Sequence, residues 1–219
     1  MLKAALGGTA LLSTLGSSEA QMSHAFLDGY KPLYFSTTEW AFIRAACARL
    51  IPSEGEGPGA LEARVPVFID TQMAGEFGKA SDWYMLGPHE PGANPLLGFQ
   101  SPLTPAQIYR QSIALVDEWC TEEKGKAFAE LGPNLQDEVL KDLQARKMPL
   151  KAELRDFFVL LLQNTKEGYF ADPIYGGNYR MAAWKYIGFP GARGAYLEWA
   201  NDKGAPYPLG PVSISGDRG

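Results

Sequence analysis

Histidine and cysteine are scarce in this chain, with two of each in 219 residues. The scarcity removes most of the chemistry that a small protein can carry alone. A serine or cysteine nucleophile needs a base beside it, and His24 and His89 both stand in unpromising context. Neither has a carboxylate, cysteine or second histidine at ligand spacing, so both read as surface histidines rather than metal ligands. Cys47 and Cys120 are too far apart for a C-x-x-C redox pair, fit no zinc pattern and lack the C-x-x-C-H signature of covalent haem. No G-x-G-x-x-G follows a strand, no P-loop is present, and no G-x-S-x-G elbow occurs. There is no long Lys/Arg run, and a net charge of −5 with a pI near 5.1 argues against nucleic acid as a partner. Alternating strand patterns and internal repeats are missing as well. The sequence therefore nominates no catalytic, cofactor-binding or metal-ligating residue.

What is present is a chain of ordinary globular hydrophobicity (46% apolar, 21% charged), long enough for one domain with a substantial core. Residues 1–20 differ from the rest. They are a short apolar run with one Lys at the front, ending Ser18-Glu19-Ala20, the small-residue pattern of a signal-peptidase site. Leu2-Lys3 followed by an Ala/Gly/Leu run looks like the inner half of a twin-arginine export signal, without the arginine pair. A signal anchor is the alternative, although the run is short and Gly-rich for a membrane span. Residues 21–35, with Tyr30, Pro32 and Tyr34, read as an extended arm.

From residue 36 to 219 the pattern is a single helical domain with a Pro/Gly-rich tail from about residue 203. Ser36 and Glu39 form a capping-box signature ahead of Trp40, Ile43, Cys47 and Leu50 at helical spacing, and Pro52 stops that run. A second helix is expected from Val65-Pro66 through Phe77, a third from Thr104-Pro105 to Cys120, and shorter ones around 124–131 and 133–146. Lys151 to Gly168 carries "FFVLLLQN", apolar on nearly every face, and is expected to be the buried core helix. Residues 78–103 form a long irregular stretch, which in a compact domain is usually functional or ordered by a partner. The carboxylates of Asp117-Glu118 and Glu122-Glu123 are expected on a solvated surface. In an exported protein Cys47 and Cys120 either form one disulfide or remain separate buried thiols. The fold class is mainly α: a compact helical domain with long ordered loops and an extended C-terminal tail.

The densest feature is "YFADPIYGGNYRMAAWKYIGFPG", residues 169–191. Asp172-Pro173 favours a turn, Gly176-Gly177 opens backbone geometries closed to other residues, and Asn178 enters a short helix that Gly188-Phe189-Pro190-Gly191 ends. The segment reads as a rigid scaffold presenting aromatics, either to cap the core helix or to dock another protein. A last short helix is expected in "ARGAYLEWAN".

"GYFADPIYGGN", Trp184 and "IGFPGAR", together with "LTPAQIYRQSIALVDEWC", "GKAFAELGPNLQDEVL", "FFVLLLQNTKEGYFADP" and "YPLGPVSISG", resemble the gluconate 2-dehydrogenase subunit 3 family over roughly residues 34–216. The resemblance implies a non-catalytic small (gamma) subunit of a periplasmic dehydrogenase complex for a sugar, sugar acid or polyol. Its implied partners are a large FAD-binding subunit of the glucose-methanol-choline type and a multihaem cytochrome c subunit, through which the complex associates with the inner membrane. No cofactor is implied in this chain itself: FAD belongs to the large subunit and haem c to the cytochrome. The family's small subunit assists maturation and export of the large one on a twin-arginine signal, from which this N-terminus departs. Tyr169, Phe170, Tyr175, Asn178, Trp184 and Phe189 are the candidate interface residues, a mixture of partner anchors and local scaffold. Two other readings stand beside this one: an enzyme in its own right, with the motif and the 78–103 loop enclosing a sugar or cofactor, and a stand-alone periplasmic chaperone or binding protein.

Overall fold

The computed structural model describes residues 21–54, 57–199, 201, 204 and 207–219, so the export-signal reading of residues 1–20 lies outside the described residues. Helix α1 runs through residues 21–29, followed by α2 (Thr37–Leu50), α3 (Val65–Ala74), α4 (Pro105–Lys124), α5 (Pro133–Gln144), α6 (Phe157–Phe170) and α7 (Ala182–Ile187). Single 3₁₀ turns punctuate the connections. Among the described residues the only β pairing is two isolated bridges, Val212 with Gly191 and with Arg218. The mainly α class holds.

Local signals account for most helix ends. The Ser36 hydroxyl accepts the Glu39 amide N–H at 3.3 Å, and the Glu39 carboxylate accepts the Ser36 N–H at 2.7 Å. This reciprocal cap fixes the start of α2. Thr104 and Gln107 repeat the device at α4, whose N-terminal turn carries Pro105 and which Gly125 ends in a left-handed conformation. Helix α4 continues one turn beyond the expected Cys120, whereas the region around 124–131 shrinks to a 3₁₀ turn at Phe128–Glu130.

Helices α2 and α6 are the centre of the molecule, each packing against α3, α4 and α5. Phe42, Ile43, Ile69, Tyr109, Ile113, Phe128, Phe157 and Leu161 are wholly or almost wholly buried between them. Phe42 meets Phe128 at 4.5 Å between ring centroids, and Tyr109 meets Phe157 edge-on at 5.5 Å. The Tyr109 hydroxyl donates to Asn164 Oδ1 at 2.8 Å, so these two buried polar groups satisfy each other. Helix α6 is not buried on every side, since Val159, Gln163, Lys166 and Glu167 are exposed. On the periphery Arg49 grips Asp137 with two N–H donors at 2.7 and 2.9 Å, tying α2 to α5.

Two expectations need correction and two are sharpened. Residues 21–29 of the supposed extended arm are helical, because Leu27 is fully buried and the Ser23 hydroxyl donates to the Glu62 carbonyl at 3.0 Å. Tertiary contact, not helical propensity, selects that conformation. Asp117 is not on a solvated surface: it turns inward to accept the Phe128 N–H at 2.9 Å, and burial raises its carboxyl above the usual range. Cys47 and Cys120 are both free and buried. Cys47 Sγ lies 3.9 Å from Thr165 Oγ1, and the reading of two separate thiols is the one the fold contains. His89 is only half-exposed, with its Nε2 sheltered.

The 78–103 stretch is ordered by its own aromatics. Trp83 stands between Phe77 and Phe99, edge-on to both at 5.7 and 4.7 Å. The Ser101 hydroxyl donates to the Glu153 carbonyl at 2.8 Å, and Arg155 reaches the Ala93 carbonyl, closing the loop on the turn before α6. Leu86, Leu96 and Leu97 remain exposed on it.

Candidate functional site

The 169–191 motif sits on the C-terminal end of α6, and two glycines set how close it comes. A side chain at Gly168 would meet the Phe68 ring at 2.7 Å, and one at Gly177 would collide with the carbonyl of Gly168. The motif backbone therefore lies directly on the helix backbone.

Asn178 holds the motif in shape. It is fully buried, donates from Nδ2 to the Ala171 carbonyl at 2.9 Å and accepts the Ala183 N–H at 2.9 Å. It takes φ +42°, and Arg180 and Met181 also have positive φ, at +54° and +56°. Asparagine tolerates this region better than most residues. The Tyr179 N–H bonds the Ala63 carbonyl at 3.1 Å, which pins the same turn to the loop before α3.

Two aromatics face inward. Trp184 donates from Nε1 to the Phe170 carbonyl at 2.8 Å, and the Tyr169 hydroxyl donates to the Pro58 carbonyl at 2.6 Å. Burial raises the Tyr169 phenol above its ordinary value. Each is 6% exposed, against 45%, 49% and 44% for Phe170, Tyr175 and Phe189. The six sequence-nominated residues thus divide: Tyr169, Asn178 and Trp184 form the inner scaffold, and Phe170, Tyr175 and Phe189 form the outer surface. Phe170 packs edge-on against Tyr169 at 4.9 Å, and Phe189 against Trp184 at 5.1 Å, so outward rings rest on inward ones. Ile174, Tyr186 and Ile187 of the same motif are exposed as well.

Two buried structural carboxylates, one in the motif and one on α3, escaped sequence reasoning. Asp172 is buried and accepts the N–H groups of Ile174 at 3.1 Å and of Ile214 at 2.7 Å, so it caps its own turn and fastens the tail. Only the Asp-Pro turn signal hinted at it. Asp70, on α3, is fully buried and accepts from the Tyr30 hydroxyl and the N–H groups of Leu33, Tyr34 and Phe35 at 2.7–3.1 Å. It clasps the segment between α1 and α2. Because its donors lie nearly 40 residues upstream, no short-range pattern marks it.

Between α3, the end of α6 and the motif turn lies an open groove of about 500 Å³, lined by Phe68, Gln72, Glu167, Phe170, Asp172 and Tyr175 among others. It joins apolar walls to two carboxylates. Among the described residues no three His, Cys, Asp or Glu side chains gather as a metal-binding set, and no helix is long and apolar enough to cross a membrane.

No curated protein and no solved structure matches the chain. A family model described as gluconate 2-dehydrogenase subunit 3 matches residues 37–191, from the first turn of α2 to the glycine that ends the motif. That span takes in helices α2 to α7 and the aromatic motif built on them, and the chain belongs to the gluconate 2-dehydrogenase subunit 3 family.

Proposed function

We propose that this chain is the non-catalytic small (gamma) subunit of a periplasmic, FAD-dependent dehydrogenase complex acting on a sugar, sugar acid or polyol. It docks on the large flavin-binding subunit of the glucose-methanol-choline type and supports that subunit's maturation, export and stability. A multihaem cytochrome c subunit completes the complex and brings it to the inner membrane. FAD and haem c belong to those partners.

The observation that carries this reading is the division of the motif. A rigid inner half, latched by Asn178 and Trp184, holds Phe170, Tyr175 and Phe189 in solvent. Large rings left exposed on a fixed backbone are what a protein interface uses as anchors, and a stable interface of this kind buries more than roughly 1,000 Å². The most strongly perturbed groups, Tyr30, Tyr109, Cys47 and Cys120, are held in their neutral forms chiefly by burial, and none of them lines the groove. Membership in the gluconate 2-dehydrogenase subunit 3 family supports docking within a multi-subunit dehydrogenase complex.

Co-expression with the large subunit tests the reading. The pair should purify together and retain flavin, and the large subunit made alone should be recovered poorly or without its cofactor. Substrate-dependent dye reduction by this chain alone would overturn the accessory role. A large subunit that folds, exports and holds flavin equally well without it would overturn the maturation role.

A further inference from the structure

The groove beside the aromatic face is lined by an exposed carboxylate, Glu167, that is oriented by neighbouring amides and has no ion-pair partner among the described residues. Glu167 accepts from Gln163 Nε2 at 2.8 Å on one oxygen and from Asn164 Nδ2 at 3.1 Å on the other. Asn164 is buried, and its own oxygen is held by the Tyr109 hydroxyl at 2.8 Å. The orientation of the Glu167 carboxylate is thus set by a chain of hydrogen bonds reaching into the core. A carboxylate offers about four lone-pair positions, and the two amides take two. Among the described residues Glu167 and Asp172 take part in none of the ion pairs, which involve other carboxylates throughout. Asp172 likewise accepts two N–H groups, but it is buried whereas Glu167 is exposed, so Asp172 adds negative potential and Glu167 is the carboxylate a partner side chain can reach.

We propose that this groove receives an arginine side chain of the partner polypeptide, its guanidinium meeting Glu167 and its plane and stem lying against Phe170 and Tyr175. The planar guanidinium is the cation that both forks onto a carboxylate and stacks on aromatic rings; an ammonium does only the first well. Gln72 adds a side-chain carbonyl for a further N–H donor on the α3 wall. Arginine is also among the residues most enriched at the energetic centres of interfaces, in pockets flanked by rings. The inference rests on the docking role proposed above and names the chemistry of its centre.

The test is a binding titration of the purified large flavin subunit against this chain and its Glu167→Gln and Glu167→Arg variants, at two salt concentrations. Melting temperatures are taken in parallel. Glu167→Gln should bind about tenfold or more weakly, with a shallower salt dependence, and Glu167→Arg more weakly still. Replacing arginines of the large subunit one at a time should show one whose loss has little further effect in the Glu167→Gln background. Should a Glu167 variant melt early, that double-variant coupling still decides the matter, because a folding defect weakens binding whichever arginine is changed. If both Glu167 variants bind within twofold of wild type while Phe170→Ala weakens binding, the arginine proposal falls and the docking role stands. If no partner arginine couples to Glu167, the proposal likewise falls. If the wild-type chain does not bind the large subunit at all, both fall together.

Discussion

Burying a carboxylate is unfavourable unless donors surround it, and Asp70 meets that condition with one hydroxyl and three backbone N–H groups. Asp70→Asn keeps the size and removes the charge, turning one acceptor into a donor that faces N–H groups. The substitution should cost about 2–4 kcal/mol in urea denaturation, and hydrogen exchange at Leu33–Phe35 should accelerate more than exchange in α4. Uniform loss of protection would contradict a local clasp. Asn178→Ala strands the Ala171 carbonyl and the Ala183 N–H inside the protein and places a less tolerant residue at positive φ. About 2–4 kcal/mol should be lost there too. Asn178 was legible in the sequence because an Asn after Gly-Gly marks a turn. Asp70 was not, since its donors are backbone groups whose positions only the folded chain defines.

Among the elements, the motif separates stability from binding. Trp184→Ala removes a buried ring and its bond to the Phe170 carbonyl, and should lower stability by about 3–5 kcal/mol. Phe170→Ala, Tyr175→Ala and Phe189→Ala remove exposed atoms and should each leave stability within about 1 kcal/mol, while weakening association with the large subunit by more than about 1 kcal/mol where the ring is an anchor. Melting curves and a binding isotherm on the same four variants check the split; a Trp184 variant that folds normally but binds poorly would reverse the assignment. Helix positions were largely readable, because capping boxes at Ser36 and Thr104 and prolines in first turns are local signals. The direction of each ring was not, since three non-glycine residues of positive φ, Asn178, Arg180 and Met181, steer the motif and only one of those residues announces itself by type. Helix α1 escaped for a related reason. It buries little beyond Ser23 and Leu27, one turn apart, too brief a stripe to register as a period.

At the scale of the whole molecule, burial of weak acids makes the fold sensitive to alkali. Burial pushes the Cys47 thiol from its ordinary 9.0 up to about 12, with the Thr165 hydroxyl opposing slightly. Burial, with Asp117 adding, pushes Cys120 up to about 11. Burial and the adjoining Asp70 push the Tyr30 phenol from 10.0 up to about 12. In each case the folded state holds its proton more tightly than the unfolded chain. The stabilisation is complete below about pH 9 and drains away as pH climbs towards 12. The urea midpoint should be level just below pH 9 and fall steadily above it; a level midpoint to pH 11 would contradict the assignment. For the same reason neither thiol should react with a disulfide reagent at pH 8 in the folded protein, and two should appear in denaturant without any reductant.

The contact of Gly177 on the Gly168 carbonyl has a thermodynamic consequence for assembly. A loop seated backbone-on-backbone on a core helix has its conformational entropy removed during folding, before any partner arrives. Joining the large subunit then orders little more than side chains, so the heat-capacity change of complex formation should track the apolar surface covered and carry no folding component. The aromatic face would behave as a key cut in advance, released from its lock slowly rather than found by it quickly.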